Sequence, residues 1–159
     1  MILTLSNQFV AQVSPEDFEL VNKSSWQAQV RDGKVIAVYR SCNGKTIYLA
    51  HEILQRRDIN IPKLIDHKDR DPLNNRFDNL RPATSSQNNA NHGLKSSNST
   101  GYIGVCYDKR HLKYRAKIQV RKVTLNLGLF TDPKEAARVR DAAAKRYFGE
   151  FAVLNFTEC

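Results

Sequence analysis

The sequence predicts an α+β chain made of two units in series. Three observations carry this. Alternating apolar and polar residues flank Asp32-Gly33 and lead to Asn43-Gly44, the strongest short hairpin signals. A polar, asparagine-rich stretch from Leu64 to His92 follows, too poor in apolar residues for an ordinary core segment. Beyond it, two more alternating runs, KYRAKIQV and VTLNLGLF, precede an alanine-rich segment of helical period.

The elements follow in order. SPEDFELV opens a short helix: Ser14 can cap it, Pro15 suits the first helical position, and Glu16 and Asp17 favour the positive helix end. In WQAQVRDGKVIAVYR, Trp26, Ala28 and Val30 fall on one strand face and Gln27, Gln29 and Arg31 on the other. LAHEILQRR reads as a helix with Ala50, Ile53 and Leu54 inward. KLIDH is a short strand ending in Asp66-His67, and DPLNNRFDN has turn chemistry. A second strand is expected around Leu80–Ala83, then a helix over TSSQNNANH capped by Thr84 or Ser85. HGLKSSNSTG is small and polar, which places a linker at 93–100 between units 1–92 and 101–159. In the second unit Tyr114, Ala116, Ile118 and Val120 oppose Arg115, Lys117 and Gln119, and Val123, Leu125 and Leu127 oppose Thr124 and Asn126. Thr131 or Asp132 caps the last helix, Pro133 opens it and Gly149 ends it. Its Ala136, Ala137, Ala143 and Ala144 let it sit close to a sheet.

The 159 residues suit one ordinary domain or two small ones, and an apolar content of 41% supports a packed core. Lys and Arg outnumber Asp and Glu 25 to 16, a net charge of +9 that points to a polyanionic partner, nucleic acid before membrane surface. No apolar run approaches the length of a membrane span, and the start MILTLSNQFV lacks the pattern of a secretory leader. Cys42, Cys106 and Cys159 are too scattered for a disulfide framework or a structural zinc site, so a reducing, cytoplasmic setting is expected.

Any one asparagine in the polar stretch is most simply a turn residue. The set has more chemistry. Asp66 offers a hard oxygen, His67 a base that titrates near neutrality, and Asn88 an amide oxygen on the following helix. DH, a polar loop, DNLR and then QN on a helix together resemble the HNH, or His-Me finger, endonucleases of phage and homing type, with their ββα-metal motif. The resemblance implies a nuclease domain over 1–92 with its core at about 61–92. It implies His67 as general base, Asp66 and Asn88 as ligands of one Mg²⁺ or Mn²⁺, and Asn79 as the brace of the backbone that holds His67. FELVNKSSWQAQ…YLAHEIL extends it towards the amino terminus. Asp69 and Asp71 read as solvated loop residues, His51 as a residue for packing or a backbone contact and His92 as a helix-end residue.

In the second unit, GYIGV, KYRAKI, LGLF, DPKEAARVRDAAA and GEFAVLNF resemble an Apetala-two/ethylene-response-factor (AP2/ERF) DNA-binding domain. That family packs a three-stranded antiparallel sheet on one helix and presents the other sheet face to the major groove. Here the face would carry Arg115, Lys117, Gln119, Thr124 and Asn126. Tyr114 stands where Trp is usual and Arg140 where Tyr is usual, and plant base-reading positions hold Cys106, Asp108, Thr124 and Asn126, so the plant sequence preference does not carry over. The expected partner is double-stranded DNA, bound by a monomer or homodimer, with Arg76 as a further phosphate contact. The alternative is a DNA-binding regulator whose first unit does not cut.

Overall fold

A computed structural model describes residues 1–57, 64–94 and 98–156. It is a mixed α+β structure with four α-helices and several small sheets among the described residues. The chain divides into two compact units, Met1–Thr84 and Ser85–Cys159. The linker expected over 93–100 falls partly outside the described residues.

In the first unit, β1 (Ile2–Thr4) pairs antiparallel with β2 (Val10–Val13), and α1 spans Pro15–Val21. Ser14 does not cap α1 with its side chain; its hydroxyl accepts the Phe77 N–H at 2.9 Å, tying the helix start to the polar loop. Strands β3 (Gln27–Arg31), β4 (Lys34–Cys42) and β5 (Lys45–Tyr48) form an antiparallel meander. Its two turns have positive φ at both central residues, 51° and 73° at Asp32-Gly33, 50° and 72° at Asn43-Gly44, the twist a two-residue hairpin needs. A register shift between Gln29 and Val30 takes Val30 off the buried face that Trp26 and Ala28 share, and Val30 is exposed.

Helix α2 (Leu49–Gln55) buries Leu49, Ala50, Ile53 and Leu54. They join Leu3, Val13, Val21, Trp26 and Val38 in one core, where the Trp26 indole N–H bonds the Val21 carbonyl at 2.8 Å. Strand β6 (Leu64–His67) pairs antiparallel with a later strand, β8 (Leu80–Ala83), setting Asp66 opposite Arg81 and His67 opposite Leu80. Between them, the two-residue β7 (Asn74–Asn75) runs parallel to β2, and a 3₁₀ turn spans Phe77–Asn79. The polar loop is thereby fastened at both ends to the core.

The second unit starts with α3 (Ser85–Ala90). Strands β9 (Val105–Asp108), β10 (Lys113–Val120) and β11 (Val123–Phe130) form an antiparallel sheet in the order β11-β10-β9. Helix α4 (Pro133–Phe148) is capped by Asp132, whose side chain accepts the Lys134 N–H at 2.9 Å. The helix buries Ala136 and Ala137 against Val105 and Ala116 of the sheet. Gly104 makes this close packing possible: a Cβ there would lie 2.7 Å from the Lys117 carbonyl oxygen and 2.8 Å from Arg140 Cγ.

Candidate functional site

The polar stretch is organised by side-chain hydrogen bonds to its own backbone. Asn79, buried, donates its amide to Asp69 Oδ1 at 2.9 Å and to the Asn74 carbonyl at 2.7 Å, and accepts the Asp69 N–H at 3.1 Å. The Lys68 N–H bonds the Asn79 carbonyl at 2.9 Å, so Asn79 holds the residues directly after His67. Asp69 accepts at Oδ1 from the Asp71 N–H and at Oδ2 from the Asn74 amide. Burial pushes its carboxyl up, but these bonds, with that from Asn79, outweigh burial and hold it below the ordinary carboxylate value. Asp69 is thus the acceptor at the centre of the loop and not a merely solvated carboxylate. Asp71 Oδ1 closes an Asx turn on the Leu73 N–H.

On a strand, neighbouring side chains alternate, and the partners of Asp66 and His67 differ accordingly. Asp66 is buried, and its Oδ2 accepts from Arg81 Nε and Nη2, both at 2.8 Å. The half-buried His67 places Nε2 3.3 Å from Asn75 Oδ1. Asn75 is fully buried and donates its Nδ2 to the Pro72 carbonyl at 2.9 Å. With the amide nitrogen committed there, Oδ1 is the acceptor, so His67 carries its proton on Nε2 and, when neutral, its lone pair on Nδ1. Burial pushes the imidazole below its ordinary value of 6.5, against the opposing pull of the Asn75 bond and the Asp69, Asp66 and Asp71 carboxylates. His67 is therefore neutral at pH 7.

Arg76 is exposed, with its Nε 3.4 Å from Asp78 Oδ1. Asn88 lies half-buried on α3, in the second unit. His51 packs by Tyr48, ring centroids 5.8 Å apart, and its buried Nδ1 has no hydrogen-bond partner among the described residues. His92 lines a cavity of the second unit with Gly104, Lys117 and Arg140. No group of three His, Cys, Asp or Glu side chains able to hold a metal forms among the described residues.

Three contributors lay outside the residues singled out by motif: Asn75, Arg81 and Asp69. The signal for Arg81 was present, because an antiparallel hairpin with strands at 64–67 and 80–83 sets Asp66 opposite Arg81. No pattern flagged Asn75, whose burial depends on β7 pairing with β2.

Residues 59–90 match the family model described as HNH endonuclease. The HNH match lies in the middle of the chain and contains Asp66, His67, Asn79 and Asn88. A relative described as an uncharacterized HNH endonuclease, L560 of Acanthamoeba polyphaga mimivirus, is 33% identical over 91 residues. That alignment covers 57% of this chain and 46% of the viral protein, so it spans about half the relative's length.

In the second unit, register brings Lys117 opposite Asn126 and Gln119 opposite Thr124, all four exposed. Arg115 pairs with Cys106 on one side and Leu129 on the other, which puts it on the same face. Its Nε and Nη2 both bond Asp108 Oδ2, the former at 3.1 Å.

Proposed function

We propose that this chain is a metal-dependent endonuclease that hydrolyses phosphodiester bonds in double-stranded DNA inside the cell. The observation that carries the reading is the HNH match over residues 59–90, which includes a neutral, hydrogen-bonded His67. His67 acts as general base: the bond to Asn75 orients the ring, and the neutral imidazole takes a proton from water. Asn79 keeps the following backbone in place through its bonds to Asp69 and Asn74.

The donor chemistry fits a hard divalent ion, Mg²⁺ or Mn²⁺. Asp66 would supply a carboxylate oxygen, and few protein ligands are typical where an ion keeps waters and phosphate oxygens. When bound, the ion supplies charge relief at the phosphate and at the leaving oxygen. Arg76, exposed in the polar loop, offers its guanidinium to a neighbouring phosphate. The second unit, on its motif resemblance to AP2/ERF domains and its basic exposed sheet face, supplies DNA binding through Arg115, Lys117, Gln119, Thr124 and Asn126.

Nicking of supercoiled plasmid by the full chain tests the reading. Cleavage is expected with Mg²⁺ or Mn²⁺ and is lost in EDTA. His67→Ala is expected to slow it by about 10²–10⁴-fold, the usual worth of a general base, with DNA binding in EDTA retained. Wild-type rates in His67→Ala would sink the assignment. A wild-type chain that binds duplex DNA but never nicks it with either ion is instead the non-cutting regulator.

A further inference from the structure

The exposed face of the second sheet holds two kinds of cation. Lys117 is exposed and makes no ion pair among the described residues. Arg115, with a third of its side chain exposed, is bound to Asp108. Asp108 is itself fixed: its Oδ1 accepts the Arg110 and His111 N–H groups at 3.0 and 3.2 Å and lies 3.2 Å from His111 Nδ1. The turn after β9 therefore locks the carboxylate, and the carboxylate locks the guanidinium.

The lock selects which edge of Arg115 remains for a ligand. A guanidinium has five N–H donors in a fixed fork. Asp108 takes the side made by Nε and Nη2. The end made by Nη1 and the second Nη2 hydrogen, two parallel donors, is not taken up by Asp108. Guanine shows two acceptors, O6 and N7, at matching spacing in the major groove. A phosphate suits this end less well, because the adjacent carboxylate cancels the charge and repels the anion. Lys117 has no such partner and suits a phosphate.

We propose that Asp108 is a positioning residue that makes Arg115 a guanine reader, leaving backbone contact to Lys117. The inference rests on the reading of this sheet face as the DNA surface. It gives the chain a sequence preference of its own at one base pair, set by a carboxylate on the neighbouring strand.

The test is selection from a pool of randomised duplex DNA by the full chain in EDTA, followed by affinity measurement across salt. The variants are Asp108→Asn, Arg115→Lys and Lys117→Ala, each checked for folding by circular dichroism. The wild type is expected to select guanine at one position. Asp108→Asn, of the same size, and Arg115→Lys, of the same charge, should each lose that preference, worth roughly 5- to 140-fold, and keep the preferences at other positions. Asp108→Asn should also bind random duplex more tightly, its log–log salt slope steeper by about 0.9 as Arg115 turns to phosphate. A guanine preference that survives either substitution overturns the inference while leaving the sheet-face reading intact. So does a wild type that binds duplex DNA with no preferred base. If Lys117→Ala and Arg115→Lys both bind as the wild type at every salt concentration, the sheet-face reading itself falls, and this inference with it.

Discussion

Asn75 connects His67 to packing through a single amide. Its nitrogen is spent on the Pro72 carbonyl and its oxygen on His67, and the side chain is buried. Asn75→Ala should therefore lower the nicking rate by about 10–100-fold, the usual effect of removing a group that orients a functional histidine, with DNA affinity unchanged. Equal losses of rate and affinity would mean that the loop had collapsed and that Asn75 has no orienting role. Asp66 carries a different load, because its charge is paired with Arg81 in a buried site. Arg81→Met takes the guanidinium from a buried carboxylate and should lower stability, read by denaturant unfolding. Asp66→Asn keeps the size and removes the charge. Its nicking should fall at low Mg²⁺ and recover partly at high Mn²⁺, as should that of Asn88→Ala. An unchanged metal titration in both would move the ligands to Asp69 and Asp71.

Among the elements, α2 shows how charge supports the core around the site. Glu52 accepts from Arg40 at 2.9 and 3.1 Å and from Arg56 at 2.8 Å, bridging the helix to β4. Burial pushes its carboxyl up, but the Arg56 and Arg40 bonds outweigh it and hold it below its ordinary 4.5. The contribution is therefore full above the unfolded value and is lost as pH falls through the lower folded value. Glu52→Gln should cost about 1 kcal/mol at pH 7. The gap between variant and wild type should close in acid, below pH 4.5. A gap that persists at low pH would mean that packing, not charge, is what Gln fails to replace. Elements of this kind were legible from sequence because period and turn chemistry are local: both Xaa-Gly hairpins, the inward face of α2 and the Asp132 cap follow from a few neighbouring residues. The Arg121-Lys122 turn was not, since φ of 49° and 70° at two non-glycine residues is imposed by the strands it joins. The same applies to Val30 at its bulge, and to Asn75 and Arg81, whose roles depend on pairing across the fold.

At the scale of the whole molecule, the +9 charge and the division into two units set how binding and cutting relate. Each cation that meets a phosphate releases counterions, so affinity for duplex DNA falls steeply with salt, by about 0.9 in log–log slope per contact. If the second unit does the binding, the slope belongs to its sheet face and not to the HNH stretch. The full chain in EDTA, measured on one duplex across a salt series, separates these contributions. Lys117→Ala should flatten the slope by about 0.9, because this exposed lysine makes no ion pair among the described residues. His67→Ala should leave both slope and affinity as they are while slowing nicking by about 10²–10⁴-fold. Arg76 is the informative third case, since its guanidinium lies exposed in the polar loop with Nε 3.4 Å from Asp78 Oδ1. If Arg76 holds a phosphate next to the scissile one, Arg76→Ala should flatten the slope by about as much as Lys117→Ala and slow nicking as well. A slope unchanged in Arg76→Ala would confine DNA contact in the ground state to the second unit. A slope unchanged in Lys117→Ala would shift the electrostatic footprint to the basic residues of α4, among them Lys134, Arg138, Lys145 and Arg146.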